Sequence, residues 1–432
     1  MHRRPATLSV LLLLITSTSL AEDWPQWGGV QRDLVWRETG IVSKLPGPEL
    51  PRIWTAEIGD GYGGPAVADG RVYLMDRVDN GPKRQTERVL CFDAETGKQI
   101  WVVEYPVVYT VSYPAGPRCT PVIDAGRVYT VGALGHMLCL DIESGDMVWQ
   151  KNFVDDFGTR LPTWGMVASP LVDGDQLITL VGGRKDALVV SFDKVTGREL
   201  WRSLNSSGVG YAPPVIFEFG GKRQLIVWHP EAVSSVDPKD GSVLWEIPYR
   251  VRAGLSIATP RMVGNRLFVA SFYNGPRMIE VADNGLSARI AWSGKSDSER
   301  ETDGVHPIMC IPWFDGTHIY SICSYGQLRC LDASNGERLW ETAEATGKGR
   351  WWNAFLIRHE DRFFIHNEQG DLIIANLTPD GYEEVSRSKL IKPTRPVQRR
   401  LTIWSHPAFA MKSVFARNDG ELIRVSLAAD NK

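Results

Sequence analysis

Short apolar runs broken by tight-turn residues recur along the chain. Eight of them begin at or beside Pro65, Pro121, Pro170, Pro213, Pro260, Pro307, Ala354 and Pro407. Each leads through a turn to a second apolar run. Asp69-Gly70 precedes Arg71-Val72-Tyr73-Leu74, Gly126 precedes Arg127-Val128-Tyr129, Gly264-Asn265 precedes Arg266-Leu267-Phe268, and Asp315-Gly316 precedes His318-Ile319-Tyr320. Asp-Gly and Gly-Asn between alternating apolar runs predict tight β-hairpins. A second turn, such as Leu134-Gly135, Tyr325-Gly326 or Asp419-Gly420, leads to a third strand of the type Val89-Leu90-Cys91-Phe92. A fourth strand follows and carries a Trp.

The third and fourth strands are joined by Asp-x3-Gly-x3-Trp, which occurs five times: Asp93-Gly97-Trp101, Asp141-Gly145-Trp149, Asp193-Gly197-Trp201, Asp237-Gly241-Trp245 and Asp332-Gly336-Trp340. The spacing is roughly 44 to 52 residues with one period skipped, and a strand-rich repeat of that length predicts a β-propeller. The Asp closes an Asx-turn, the Gly supplies a positive φ, and the Trp offers enough apolar surface to cover the next blade. These are expected to be structural docking residues and not catalytic ones. Two repeats are degenerate: one reaches Trp292 through Asp283-Asn284-Gly285, and one has Asp380-Gly381 but no Trp. The last repeat, Pro407 to Leu427, has three strands only, whereas Ile53-Trp54-Thr55-Ala56 looks like an outer strand without a blade. Residues 51–57 are therefore expected to complete the last blade and leave no open sheet edge. The expected fold is all-β: an eight-bladed β-propeller of four-stranded antiparallel blades over residues 51–427, with a Trp-rich segment at 22–50 before it and a short tail at 428–432.

Residues 1–21 read as a signal peptide, with Arg3 and Arg4, an apolar run from Leu8 to Ile15, and Ser19-Leu20-Ala21 before the cut. Residue 22 is Glu and not Cys, so a soluble, exported (periplasmic or secreted) protein without a lipid anchor is expected. No apolar stretch is long enough to predict a transmembrane segment. The whole chain carries 48 basic and 51 acidic residues, and loss of Arg3 and Arg4 with the leader leaves a net charge of −5. Apart from Arg395–Arg400 no basic run suggests nucleic acid, which is not an expected partner. Six cysteines are sparse for a disulfide scaffold. Cys91, Cys139 and Cys330 occupy one position in three repeats and read as core residues. Cys323 and Cys330 would lie diagonally across the Tyr325-Gly326 turn, where a disulfide is strained in most hairpins; whether any cysteines pair stays open, as does the oligomeric state.

The repeated third strand, the Asp-x3-Gly-x3-Trp turn (fullest in Asp93-Ala94-Glu95-Thr96-Gly97-Lys98-Gln99-Ile100-Trp101) and the ring closure together resemble the pyrroloquinoline quinone (PQQ) repeat family of eight-bladed propellers. Asp23-Trp24-Pro25-Gln26-Trp27-Gly28 resembles the opening segment of exported members. The resemblance implies one of two functions. Quinoprotein alcohol dehydrogenases hold the quinone with calcium at one end of the axis, through an Asp base and Glu, Asn and Asp ligands. They are longer, and they often carry adjacent cysteines that this chain lacks. The other branch includes the propeller subunit of the outer-membrane β-barrel assembly machinery, a non-catalytic scaffold that binds partner proteins through its loops, and its size is closer to that of this chain.

Propeller topology puts the outer-to-inner links on one face, here the long ones: 102–118, 150–168, 293–305, 341–352 and 386–404. A charged insertion, Asp76 to Arg88, is expected there too. Long loops on a rigid ring are where binding resides. Arg118, Trp164, His306, Trp352, Asn353, Trp404 and His406 are expected to converge near the axis on this face, as a funnel for a ligand or a protein partner. No catalytic set and no metal-ligand set is assembled from these residues, since calcium favours several oxygen ligands. The expected function is a non-catalytic protein-interaction or assembly scaffold without a cofactor. A PQQ- and calcium-dependent dehydrogenase is the alternative, and glycan or cell-wall recognition a second one.

Overall fold

The computed structural model describes residues 22–429 except 82, 83, 114 and 398; the leader at 1–21 and residues 430–432 of the tail lie outside the described residues. Eight four-stranded antiparallel sheets follow one another as blades at residues 66–107, 122–152, 171–203, 215–248, 261–293, 313–342, 354–389 and 408–426, numbered here 1 to 8. Each blade is an up-and-down meander, and its middle two strands are almost wholly buried. Blade 8 takes its fourth strand from the other end of the chain. Arg52–Glu57 pairs antiparallel with Glu421–Ser426, with Thr55 opposite Ile423 and Ala56 opposite Leu422. The ring is thus closed by an N-terminal strand.

The outer-strand indoles fasten neighbouring blades. Nε1 of Trp54, Trp101, Trp149, Trp292 and Trp340 donates to a carbonyl of the next blade: Ala94 (2.8 Å), Ile142 (3.1 Å), Lys194 (3.1 Å), Ala333 (3.0 Å) and Thr378 (2.8 Å). Trp201 reaches Pro238 O at 3.2 Å. The ring lies on the glycine of the next motif. A Cβ on Gly145 would stand 2.9 Å from the Trp101 indole, and one on Gly197 2.7 Å from that of Trp149. Both glycines also have positive φ, so space and backbone each require glycine. In the turns, Asp93 Oδ1 accepts from the N–H and the hydroxyl of Thr96 (2.8 and 2.7 Å), and Asp332 Oδ1 accepts from Ser334 N–H (2.7 Å). These hydrogen bonds hold both carboxyls below the usual carboxylate range.

Blade 5 lacks the full motif, and a buried glutamine substitutes for the direct contact. Trp245 Nε1 donates to Gln224 Oε1 (2.9 Å), and Gln224 Nε2 donates to Gly285 O (2.8 Å) in blade 5. Blade 7 has no outer Trp, and there the N-terminal segment fills the junction with blade 8. Val42 N–H donates to Leu427 O (2.9 Å), Leu50 N–H to Lys389 O (3.1 Å), and Leu45 N–H to Ser386 Oγ (3.0 Å). Leu45 and Leu50 are buried in the same apolar cluster as Leu390 and Phe409.

The rest of that segment crosses the central channel. Trp24 and Val67 of blade 1 exchange backbone hydrogen bonds, and Ile123 N–H of blade 2 donates to Pro25 O. Arg32 Nη1 donates to Pro170 O at the start of blade 3 (2.8 Å), Arg261 of blade 5 donates to Asp33 O (2.9 Å), and Arg358 of blade 7 pairs with Leu34 and Trp36. The channel is therefore plugged from within.

Three expectations are corrected, and the open question of cysteine pairing is answered. The inner strand of blade 6 is only Trp313–Phe314, and the stretch from Pro307 belongs to the preceding link. The six cysteines are free thiols, all buried. The charged stretch Asp76 to Arg88 is no loose loop: strands Arg71–Asp79 and Gln85–Asp93 run through it, because its inward charges are matched. Buried Asp76 takes Arg88 on both carboxylate oxygens (2.8 and 2.5 Å), and buried Glu87 accepts from Tyr105, Tyr109 and Ala133 N–H. The Arg395–Arg400 run is no free cationic patch, since Arg395 pairs with Asp419 and Asp60 and Arg400 with Glu368.

Candidate functional site

On the long-loop face the outer-to-inner links turn inward and enclose a cavity of about 240 Å³. Its floor is the channel plug, through Trp27, whose ring meets His406 edge-on at 5.8 Å. His406 in turn stacks on Phe355 with 3.8 Å between ring centroids. Burial pushes this imidazole down to about 3, so it is neutral at ordinary pH. Tyr62 enters the wall on a glycine-rich stretch that passes tightly between blades. A Cβ on Gly63 would stand 2.4 Å from Cys119 O, and one on Gly64 2.4 Å from His406 O. Tyr113, Trp164, Tyr211, Tyr273, Trp351 and Trp404 complete an aromatic wall, with Leu255, Ile257 and Ile308 between them.

Among the described residues, Arg118 is the only charged side chain in the lining. Its guanidinium sits 5.1 Å from the Tyr62 ring. It is oriented by the carbonyls of Ser112 (2.9 Å), Tyr113 (2.6 Å) and Gly116, and burial lowers its pKa. Among the described residues it has no carboxylate partner. Arg32, below the floor and 5.8 Å from the Trp27 ring, also bonds only to neutral oxygens, and burial pushes it down to about 9. The cavity is thus apolar and walled by π-faces, with the Arg118 guanidinium in its lining and that of Arg32 beneath its floor; neither makes an ion pair among the described residues, and the buried Glu87 carboxylate acts on Arg118 only at a distance.

Of the seven residues expected at the funnel, Arg118, Trp164, Trp404 and His406 are brought together. His306, Trp352 and Asn353 are not. His306 is buried in the blade 5–6 link, with Nδ1 3.2 Å from Phe272 O and Nε2 3.7 Å from Asp303. Trp352 folds back over Gly347 and Gly349, while Trp351, with a φ of 65°, faces the cavity in its place. Asn353 is buried, and its carbonyl accepts from Glu368 N–H (3.1 Å). Sequence reasoning missed Trp27, Tyr62, Tyr113, Tyr211, Tyr273 and Trp351. The Gly63-Gly64 pair was the available signal for Tyr62.

Among the described residues, the lining contains no Asp or Glu. Calcium with a quinone needs several oxygen ligands, mostly carboxylates, so this donor set does not fit that pair. Among the described residues no cluster of three or more His, Cys, Asp or Glu is placed to hold a metal, and no helix is long and apolar enough to cross a membrane.

A family model described as outer membrane protein assembly factor BamB matches residues 40–150, 85–342 and 254–429. The chain belongs to this family. It is similar to the outer membrane protein assembly factor BamB of Shewanella oneidensis, at 23% identity over 368 residues, covering 79% of this chain and 80% of that protein. It is also similar to the protein of the same name from Burkholderia pseudomallei, at 24% identity over 260 residues, covering 57% of this chain and 62% of that protein. The match thus spans less than two thirds of the Burkholderia relative. Among solved structures, quinohemoprotein alcohol dehydrogenase from Comamonas testosteroni aligns with a TM-score of 0.59 at 12% identity, covering 95% of this chain and 81% of that one. At that identity the likeness is one of fold alone. Family membership and the aromatic, acid-free funnel therefore stand together.

Proposed function

We propose that this protein is an exported, non-catalytic scaffold in outer-membrane protein assembly that binds protein partners through its long-loop face. The observation that carries the reading is the composition of the funnel: Trp, Tyr and one Arg on rigid links, around an apolar cavity. Interfaces draw most of their energy from such residues in desolvated pockets. Membership of the BamB family and similarity along most of the Shewanella protein support the assembly context. The pattern of residues 1–21 supports export. No cofactor is part of the proposal. Glycan recognition would draw on exposed aromatic side chains, and among the described residues no aromatic side chain is exposed.

The test is affinity capture with the tagged mature chain from an exported-fraction extract, read by mass spectrometry. Recovery of outer-membrane assembly proteins, lost when long-loop-face residues are replaced and kept when tight-turn-face residues are, is the expected result. Oxidation of alcohols on addition of PQQ and calcium would overturn the reading.

A further inference from the structure

The funnel is more selective than a general hydrophobic patch. Its body is aromatic, its lining holds one cation and no anion, and a second cation lies beneath its floor. Backbone carbonyls orient Arg118 but do not neutralise it. An ionised donor in a water-poor site makes its strongest hydrogen bonds with a carboxylate or another anion. The mouth adds one cation without an ion-pair partner among the described residues: Arg252 rides 4.7 Å from the Tyr273 ring, whereas Arg350, 4.6 Å from that of Trp351, is paired with Glu299. The nearby carboxylates are already engaged: Glu299 accepts from Arg350, Glu368 is buried behind Arg400 and Trp404, and Glu87, which acts on Arg118 at a distance, accepts from Tyr105, Tyr109 and Ala133 N–H.

Size restricts the occupant further. At about 240 Å³ the cavity falls below the roughly 300–1,000 Å³ of pockets that enclose a whole small-molecule ligand. It suits the end of something larger that continues out through the mouth. Aromatic walls favour an aromatic group, through edge-to-face and offset contacts.

We propose that the funnel anchors a partner protein by one aromatic side chain seated in the cavity, next to an Asp or Glu whose side-chain carboxylate pairs with Arg118. This rests on the scaffold reading and adds the chemistry of the partner: an acidic–aromatic loop.

The test uses the mature chain and short capped peptides, N-acetylated and C-amidated, that carry Asp-Phe, Asn-Phe or Asp-Ala in a Gly/Ser frame. Binding is read by calorimetry and by the fluorescence of the funnel tryptophans. The Asp-Phe peptide is expected to bind at least tenfold more tightly than either of the others. Arg118→Gln should lower Asp-Phe to the Asn-Phe level and leave Asn-Phe unchanged. Ile308→Trp, which fills the cavity, should abolish binding of all three with the melting temperature kept. Equal affinity for Asp-Phe and Asn-Phe, equal losses for both in Arg118→Gln, or no binding at millimolar peptide overturns the proposal. So does free phenylacetate binding as tightly as the Asp-Phe peptide, which would assign the site to a small aromatic acid. If both variants still capture the same assembly proteins as the unmodified chain, the anchor fails and the scaffold stands. If the unmodified chain captures none, the scaffold reading itself fails.

Discussion

The indole of Trp54 lies on Gly97, so close that a Cβ there would stand 2.7 Å from the ring, while its Nε1 holds Ala94 O at 2.8 Å. One contact thus joins the closing strand to blade 1. Gly97 also has a φ of 71°. Gly97→Ala combines a strained backbone with an overpacked interface and should cost about 2–4 kcal/mol. Trp101→Ala, which empties the next junction, should cost about 3–5 kcal/mol. Urea denaturation of both variants checks this, and a loss below ~1 kcal/mol for Trp101→Ala would mean that the indole is not docked.

Two glutamines make a sharper comparison. Gln224 holds Trp245, Ser235 and Gly285 at once, and each loses its partner if Gln224 is truncated. Gln176 likewise holds Trp201, Ser191 and Pro238, but Trp201 also bonds Pro238 directly, so that pair keeps a contact when Gln176 is truncated. Each stranded buried group costs about 1–3 kcal/mol, so Gln224→Ala should destabilise more than Gln176→Ala. Parallel thermal melts decide it, and an inverted order would refute the relay across blade 5.

Deletion of residues 22–57 removes the plug, the staple between blades 7 and 8, and the fourth strand of blade 8. The truncated chain should lose its cooperative melt and aggregate through the open edge of Glu421–Ser426. Retention of the parent melting temperature would contradict the closure.

Acid should weaken the fold through two histidines. Burial pushes His366 down to about 4 and His406 to about 3, from an ordinary value of 6.5. A base whose pKa is lower in the folded state binds protons more readily when unfolded, so stability rises with pH between the two values. The full contribution is present above pH 6.5 and is lost as pH falls toward 4. His366 alone accounts for about 3 kcal/mol. Denaturation at pH 7 and pH 4.5 should show the loss, and His366→Asn should reduce the slope. A slope unchanged in that variant would assign the acid sensitivity elsewhere.

The fold was legible because each blade repeats the same local chemistry. The turn pairs and the Asp-x3-Gly-x3-Trp spacing act within about ten residues, and their recurrence exposes the ring. Even the distant pairing of residues 52–57 with 421–426 was readable, as one blade lacked a strand and one strand lacked a blade. The funnel was harder. Which of two adjacent tryptophans, Trp351 or Trp352, faces the axis depends on a left-handed backbone at Trp351 and on the turn at Gly347, and no periodicity encodes that. Trp27 reached the floor through a segment outside the repeats. His306 looked like an axial residue only because Pro307 seemed to start a strand that in fact begins at Trp313.

The closing strand also imposes an order on assembly. Arg52 meets Glu421 across 369 residues of chain. Blades 1 to 7 bring their own four strands and can form as they emerge, but the last cannot be finished until residues 421–426 have been made. Until then the earliest-made strand and the latest-made sheet both stand unpaired, each a template for a stray strand from another molecule. The completed ring is therefore a checkpoint on length: a chain cut short near its end forfeits more than its last blade, because its first strand has nowhere to go.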